Sequence, residues 1–104
     1  MYIVLYIFKV KPNQEKQFIA SWKGLTNLIY KYEGSLGSKL HINENQDYIA
    51  YAQWPDKSTF EKSGKNLPDE ANNYRDSMRA SCEKIEVLHK MEIIEDMLIK
   101  NKND

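Results

Sequence analysis

The sequence predicts an α+β domain of the ferredoxin-like, split βαβ type (β-α-β-β-α-β), an antiparallel four-stranded sheet with its helices on one face. Three observations predict it. The chain opens on a run of β-branched and aromatic residues, an apolar stripe with helical spacing follows, and two alternating segments are then joined by a polar turn. Because 104 residues leave room for one core, we expect a single domain over residues 1–99 and a frayed polar tail over 100–104.

The first strand is predicted over residues 2–11, and Pro12-Asn13 closes it. Both of its faces are apolar. One face carries Tyr2, Val4, Tyr6, Phe8 and Val10, and the other carries Ile3, Leu5 and Ile7. A strand with one face in water alternates apolar and polar residues more cleanly, so we expect this strand to be covered on both sides.

A helix follows, with Asn13 as its predicted N-cap, Glu15 in its first turn and Gly34 placed to end it. Its apolar positions are spaced by four, three, four and three residues, as on one face of a helix. The stripe consists of Phe18, Trp22, Leu25, Ile29 and Tyr32.

The segments "SLGSKLHI" and "YIAYAQW" predict two strands joined by the polar turn 43–47. We expect a register that pairs Ile42 with Tyr48, Leu40 with Ala50, Ser38 with Ala52, and Leu36 with Trp54. This face is core-like except at Ser38. The other face is mixed and carries Gly37, Lys39, His41, Ile49, Tyr51 and Gln53.

The second half of the chain predicts a short helix after Pro55, capped either by Asp56 or by Ser58 in a capping box with Glu61. A longer helix is predicted within residues 66–82. Its stripe consists of Leu67, Ala71, Tyr74, Met78 and Cys82.

The last segment, residues 84–99, alternates like a strand but also has apolar residues at helical spacing. We favour a strand, because a strand completes the β-α-β-β-α-β order.

In this plan one face of the sheet is bare. It would carry Ile3, Leu5, Ile7, Ile49 and Tyr51. Burying one such side chain is worth roughly 1.5–3 kcal/mol, and an exposed patch of this size usually marks an interface. We therefore predict a homodimer in which two bare sheet faces pack together.

The charge and cysteine content exclude several classes of partner. The chain has 15 basic and 15 acidic residues, so no net charge draws it to nucleic acid or to an anionic membrane. The opening apolar run, Tyr2 to Phe8, is too short to span a bilayer and lacks the features of a signal peptide. The single cysteine, Cys82, allows no internal disulfide and fits a reducing cytoplasm, where we expect the protein to be.

Three stretches resemble the antibiotic biosynthesis monooxygenase (ABM) family of dimeric α/β barrels: "GSLGSKLH" (34–41), "YIAYAQWP" (48–55) and "IIEDML" (93–98). The likeness runs from the opening strand to Leu98. It implies a ferredoxin-like protomer, a dimer whose two sheets form a barrel, and a pocket between sheet and helices in each subunit. Some members oxidise polycyclic aromatic substrates without metal or flavin, others degrade haem, and many have no established activity.

The haem-degrading branch of this family differs from the chain at its functional positions. That branch uses an asparagine on the first strand, a tryptophan in the short helix and a histidine ligand in the next helix. Tyr6 and Ser63 stand at the first two positions, and residues 67–82 contain no histidine. Without an axial ligand haem iron is not held in the family's manner, so we expect neither haem nor any other cofactor.

A cofactor-independent oxygenase needs aromatic walls and at least one polar group in a dry pocket. The candidate wall residues are Tyr6, Trp22, Trp54 and Tyr74, and Ser38 is the polar residue on the inner face of the hairpin. Ala50 and Ala52 would make the room. The alternative is that aromatic residues at these spacings form an ordinary core.

Further polar candidates also have structural interpretations, and for His41 we favour a polar strand residue at an interface. His41 is a candidate base or polar contact, although the alternation places it on the face away from the helices. Arg75, one helical turn from Arg79, is a candidate anion contact, with Asp76 and Glu83 as alternative ion-pair partners. Cys82 is expected to be a small buried hydrophobe, and no metal-binding spacing occurs.

Two functional hypotheses follow from the sequence. The first is a cofactor-independent monooxygenase that acts on an aromatic or quinone-like small molecule. The alternative is a non-catalytic homodimer of the same fold that binds a small ligand, or whose pocket is filled by its own side chains.

Overall fold

A computed structural model describes residues 1–99 and confirms the ferredoxin-like order. The elements are β1 (Tyr2–Val10), α1 (Glu15–Tyr32), β2 (Ser38–Ile42), β3 (Tyr48–Trp54), α2 (Lys57–Glu61), α3 (Glu70–Ala80) and β4 (Cys82–Glu92). The four strands form one sheet in the order β2-β3-β1-β4, and each neighbouring pair is antiparallel. The tail predicted over residues 100–104 lies outside the described residues. No helix within residues 1–99 is both long enough and apolar enough to cross a membrane.

The hairpin register is confirmed within the two strands: Ser38 pairs with Ala52, Leu40 with Ala50, and Ile42 with Tyr48. The predicted pairing of Leu36 with Trp54 in the core is wrong. Leu36 precedes β2 and is 49% exposed, although its N–H still donates to the Gln53 carbonyl oxygen at 2.8 Å. Gly37, with φ +103°, turns the chain between Leu36 and the strand, so the regular strand begins only at Ser38.

The first helix begins one residue later than predicted, with Gln14 as N-cap in place of Asn13. Asn13 has φ 66° and forms the turn before the helix, a left-handed conformation that asparagine tolerates. The end of the helix is confirmed, because Glu33 is the C-cap and Gly34 adopts φ +80°. In the predicted stripe Phe18 and Leu25 are buried, but Tyr32 is 43% exposed, because it lies in the last helical turn.

The carboxylate of Glu33 ties the end of α1 to the loop that follows α2. It is buried, and its two oxygens accept from the backbone N–H groups of Gly64 at 2.8 Å and Asn66 at 2.7 Å. A carboxylate that accepts two N–H bonds makes charge-assisted hydrogen bonds, which are the stronger kind. Glu33 therefore fixes the path of the chain from α2 to α3.

The cap of α2 is Asp56, not Ser58. The Asp56 carboxylate accepts from the Thr59 N–H at 2.7 Å and from the Thr59 hydroxyl at 2.8 Å. These hydrogen bonds hold the pKa of Asp56 below its usual value, because they favour the charged form. The capping box expected for Ser58 and Glu61 is thus replaced by an aspartate cap.

The helix predicted to reach Cys82 ends at Ala80, and Cys82 is the first residue of β4. The change of direction occurs at Ser81, which is fully buried and donates its hydroxyl to the Met78 carbonyl oxygen at 2.8 Å. The four-residue spacing of Met78 and Cys82 is that of one helix face, which is why the sequence predicted a longer helix. Both residues do pack in the core cluster around Phe8 and Phe18, but Cys82 does so from β4.

The strand predicted over residues 84–99 is confirmed as far as Glu92 and is wrong beyond it. The neighbouring strand β1 starts at Tyr2, so the last backbone bond is from the Ile93 N–H to the Met1 carbonyl oxygen, at 2.9 Å. Past this point the chain has no strand to pair with. Ile94 and Ile99 are accordingly 90% and 97% exposed.

All three helices contact the same face of the sheet. Two core clusters lie between this face and the helices, one around Phe8, Ala50 and Phe18 of α1 and one around Tyr2, Val4 and Trp54. On the opposite face Ile3 is only 2% exposed, lying between its cross-strand neighbours. The other residues predicted on that face are half-buried, namely Leu5, Ile7, Ile49 and Tyr51.

The helices α1 and α3 touch at Gly24. A methyl group added at Gly24 would overlap the ring of Tyr74, so only glycine leaves room for the ring in its present position. Tyr74 belongs to the cluster formed by Leu25, Leu28 and Ala71 between the two helices. This contact sets how closely α3 approaches α1.

We expect Gly24→Ala to destabilise the fold by about 1–3 kcal/mol, because the added methyl displaces the Tyr74 ring. In a Tyr74→Ala background the same change should stabilise by about 1 kcal/mol, since alanine is the better helix former once the ring is absent. Urea unfolding of the four proteins measures both differences. Equal effects of Gly24→Ala in the two backgrounds would show that the ring does not rest on this glycine.

Candidate functional site

A cavity of about 230 Å³ lies between the sheet and the helices α1 and α3. Its lining is mostly apolar. All four strands, the two helices and the segment that leads into β2 contribute side chains to it. Concave, mostly apolar sites with a few polar groups are the usual form of small-molecule sites.

The alanines of β3 form part of the cavity wall. Ala50 and Ala52 lie on the sheet face beneath the helices, paired across the strands with Leu40 and Ser38 on β2 and with Tyr6 and Val4 on β1. A side chain of ordinary core size at either position would occupy the cavity. Both alanines therefore lie at the cavity, as the sequence predicts, and their role in admitting a ligand stays a prediction.

Five of the predicted site residues line this cavity, namely Tyr6, Trp22, Ser38, Trp54 and Arg75. Tyr74 does not belong to the lining, because its ring packs against Gly24 in the interface of the helices. His41 is also elsewhere. It is exposed on the opposite face of the sheet, with Nδ1 3.1 Å from the Ile49 carbonyl oxygen.

Trp54 carries an unused hydrogen-bond donor. The residue is 4% exposed, and its indole Nε1 is buried without a partner among the described residues. Phe60 packs edge-on against the ring at 5.5 Å and offers no acceptor. An unpaired buried donor costs roughly 1–3 kcal/mol, so this N–H is a local loss of stability beside the cavity.

The other polar side chains of the lining differ in whether they already form hydrogen bonds within the chain. Ser38 donates its hydroxyl to the Tyr51 carbonyl oxygen at 2.9 Å. Tyr6 forms no side-chain hydrogen bond within the described part of the chain, and burial raises the pKa of its hydroxyl, so it stays protonated at neutral pH.

Arg75 is the charged member of the lining. It is half-buried on α3, and its Nη1 donates to the Asn72 side-chain oxygen at 3.4 Å. Neither Asp76 nor Glu83 forms an ion pair with it; in the described region the one ion pair joins Lys84 and Glu86. The guanidinium therefore remains available to an anionic ligand.

Sequence reasoning missed several lining residues, among them Thr26, Met78 and Ile85. Thr26 follows Trp22 by four residues on α1, so the helical period was a signal that could have found it. Ile85 could not be found in this way, because it reaches the cavity from β4, and the register of that strand shifts between Leu5 and Tyr6 of β1.

A comparison with protein families shows that the profile described as "Antibiotic biosynthesis monooxygenase" matches residues 1–78. The match includes the first three strands and most of the cavity wall. Among curated proteins, none is significantly similar to the chain in sequence.

Solved structures share the fold at low sequence identity. A variant of SnoaB, a cofactor-independent oxygenase from Streptomyces nogalater, has a TM-score of 0.74 and 14% identity over 92% of this chain and 95% of that chain. Rv0793 from Mycobacterium tuberculosis has a TM-score of 0.71 and 10% identity over 93% of this chain and 98% of that chain. Likeness at such identities establishes the fold alone.

The raised pKa of Tyr6 predicts a loss of stability at alkaline pH. Because burial disfavours the phenolate, the unfolded chain ionises first as the pH passes about 10, and the fold is weakened from there upwards. Tyr6→Phe should remove this contribution. Melting temperatures at about pH 8 and about pH 11 should therefore fall further for the wild type than for Tyr6→Phe.

The matched control is Tyr30→Phe, since Tyr30 is 54% exposed. This variant should lose as much stability on alkalinisation as the wild type. If Tyr6→Phe behaves like Tyr30→Phe, the Tyr6 hydroxyl is not desolvated in the way described.

Proposed function

Because the chain belongs to the antibiotic biosynthesis monooxygenase family, we propose that it is a cofactor-independent monooxygenase that acts on an aromatic or quinone-like small molecule. The observation that carries the proposal is the cavity between sheet and helices, whose lining includes aromatic side chains, among them Trp54 with an indole N–H that has no partner in the described residues. Aromatic walls suit a flat ring, and the unused donor suits an oxygen on that ring.

In the proposed reaction the substrate supplies the electrons. An electron-rich phenol or anthrone loses a proton, and its carbanion reacts with dioxygen at carbon. The hydroperoxide so formed loses water, so a methylene group and O₂ become a carbonyl group and H₂O. The balance needs no external reductant.

The residues of the cavity have separate roles in this proposal. Trp54 donates its N–H to the substrate oxygen on which negative charge develops, and such a donor is worth more in a site that excludes water. Trp22 and Tyr6 form aromatic walls. Arg75 adds positive charge on the α3 side, which favours the anionic form of the substrate.

The alternative function is binding of a small aromatic ligand without catalysis. One observation favours it: among the described residues, the cavity lining includes no carboxylate and no imidazole that would act as a general base. A site of this kind would hold a ligand without activating it.

We also propose that the protein acts as a homodimer through the face of the sheet that the helices leave uncovered. Leu5, Ile7, Ile49 and Tyr51 remain half-buried on this face in a single chain. Covering them with a second copy would bury further apolar area at about 25 cal/mol per Å².

The proposed location is the cytoplasm. Cys82 is buried and unpaired, and burial raises the pKa of its thiol, so it is a poor nucleophile. A single inert thiol suits a reducing compartment. The balanced charge of the chain gives no reason to propose nucleic acid or a membrane as a partner.

Oxygen consumption with a panel of anthrones and hydroquinones tests the proposed activity. Trp54→Phe should keep the aromatic wall and lose the donor, which lowers the turnover rate by about 100-fold or more if the N–H stabilises the oxyanion. Tyr32→Phe, at an exposed position on α1, is the control and should keep the wild-type rate. Full activity in a folded Trp54→Phe protein would remove this residue from the mechanism, and ligand binding without oxygen uptake across the panel would favour the alternative.

Sedimentation velocity tests the dimer. Ile49→Lys places a charge on the uncovered face and should convert a dimer into a monomer at micromolar concentration. Ile19→Lys introduces the same charge at an exposed position of α1 and should leave the dimer intact. A wild-type chain that sediments as a stable monomer at micromolar concentration would contradict the proposal.

A further inference from the structure

We infer that the segment after β4, residues 93–99, packs against a second copy of the chain and closes the mouth of that copy's cavity. We call this segment the arm. The inference rests on the proposed function, since it takes the homodimer and the cavity as its starting point. It adds a contribution of each protomer to its partner's site, which a dimer formed by the two sheet faces alone does not require.

The arm is strongly apolar and lies outside the core of its own chain. Its last backbone bond to the sheet is the one from the Ile93 N–H to the Met1 carbonyl oxygen. Past Ile93, the hydrogen bond that the arm makes within the described residues is local, from the Leu98 N–H to the Asp96 carboxylate at 2.9 Å. A contiguous exposed apolar surface usually marks an interface. The large apolar side chains of the arm are between 81% and 97% exposed, namely Ile94, Met97, Leu98 and Ile99.

A shallow groove between α1 and the segment leading into β2 has the complementary character. Exposed Tyr30 and Leu36 line it, together with the cation of Lys23 and no acidic residue among the described ones. The arm carries the acidic pair Glu95 and Asp96 and no basic residue. An acidic, apolar segment and a basic, apolar groove are complementary in both respects. In a single chain they do not meet, because the arm leaves the β4 edge of the sheet and the groove borders the β2 edge.

The directions of the strands bring the arm to the groove of a partner. The edge strands β2 and β4 run in opposite directions, because three antiparallel pairs connect them. The end of β4 and the start of β2 therefore lie at the same end of the sheet. If the two uncovered faces pack about a two-fold axis parallel to the strands, β4 of one protomer lies along β2 of its partner. The arm then emerges beside the partner's Leu36.

The groove leads into the cavity, because both linings include Trp22, Thr26 and Ser38. The seven residues of the arm reach about 23 Å when extended, at roughly 3.3 Å per residue. Trp22 and Tyr30, at the two ends of the groove, lie about 12 Å apart along the helix axis. The arm is therefore long enough to pass the β2 edge and to cover the groove. Its apolar side chains would then stand between the partner's cavity and the solvent.

Disulfide trapping tests where the arm packs. Three proteins combine Leu36→Cys with Ile94→Cys, Met97→Cys or Leu98→Cys. A disulfide requires two Cα atoms within about 7 Å, so oxidation should give a covalent dimer only for those pairs that meet between protomers. We expect such a dimer for at least one of the three pairs. Proteins with a single introduced cysteine should stay unlinked, and Cys82 is buried and common to all of them.

The matched control moves the second cysteine to Arg79→Cys and keeps the three positions on the arm. Arg79 is exposed and directly precedes the start of β4, so it lies at the opposite end of the protomer from the arm. These proteins should give no covalent dimer. Linking as efficient as with Leu36→Cys would show that the arm reacts with any exposed thiol, and the inference would fall. A bridge within one chain, which migrates as a monomer on a non-reducing gel, would also contradict it.

Quenching of Trp22 fluorescence by acrylamide tests whether the arm closes the cavity. Trp54→Phe leaves Trp22 as the one remaining indole. In this background, Met97→Ser combined with Leu98→Ser should raise the quenching constant and shift the Trp22 emission to longer wavelength, because the partner's arm no longer shields the ring.

Ile19→Ser is the control for this measurement, since it removes an exposed apolar side chain of α1 that does not line the groove. It should leave the quenching unchanged. If the changes in the arm also leave it unchanged, the arm does not cover the cavity mouth.

The outcomes distinguish the inference from the function on which it rests. If the wild type sediments as a dimer but no arm position links to Leu36→Cys, the packing of the arm is wrong while the dimer of sheet faces stands. If the wild type sediments as a monomer at micromolar concentration, the dimer and the inference fail together. Oxygen uptake with hydroquinones is measured separately and bears on the proposed activity alone.

Discussion

The small size of the β3 side chains beneath the helices is the constraint on which the site depends. Ala50 and Ala52 lie on the face of β3 beneath the helices and reach only one carbon atom from the backbone. On one side of them Phe18 packs against Phe8 and Tyr48, with ring centroids 4.9 and 5.1 Å apart. On the other side, Phe60 packs against Trp54 and Tyr2 at 5.5 and 5.7 Å. The helices therefore rest on two aromatic clusters, and the alanines between them leave space that neither cluster fills.

This arrangement gives up stability at the place where the chain would bind a ligand. An unfilled apolar cavity forgoes dispersion contacts, and an unpartnered indole N–H adds the cost of a missing hydrogen bond. Elsewhere polar side chains form short hydrogen bonds. The Glu33 carboxylate accepts from two backbone N–H groups, and the Asp56 carboxylate accepts from the N–H of Thr59. A local departure from good packing and hydrogen bonding is typical of a functional site.

The sequence predicted the sheet better than it predicted the ends of the elements. Alternation with period two sets which residues share a face, so the pairing of Ser38 with Ala52 and the cavity position of Trp54 followed from the pattern. The end of β4 could not be predicted from this alternation, because it depends on where the neighbouring strand β1 begins. Tyr74 has the spacing of a lining residue, but its ring lies against Gly24, where α1 and α3 meet. The place where two helices meet depends on contacts between residues far apart in sequence, so no local pattern predicts it. The unused N–H of Trp54 depends likewise on neighbours distant in sequence.

The lining of the cavity explains how one fold can serve several chemistries. The shared part is the backbone arrangement, which persists here at 10% and 14% identity to the two solved structures compared above. The reaction depends on the few side chains that face the space, and these change without disturbing the sheet. In this chain they are donors and a cation, with neither base nor metal ligand among the described lining residues. If the proposed oxygenase function is right, the substrate must lose its proton without a carboxylate or imidazole from this lining, so the acidity of the substrate would determine which compounds react.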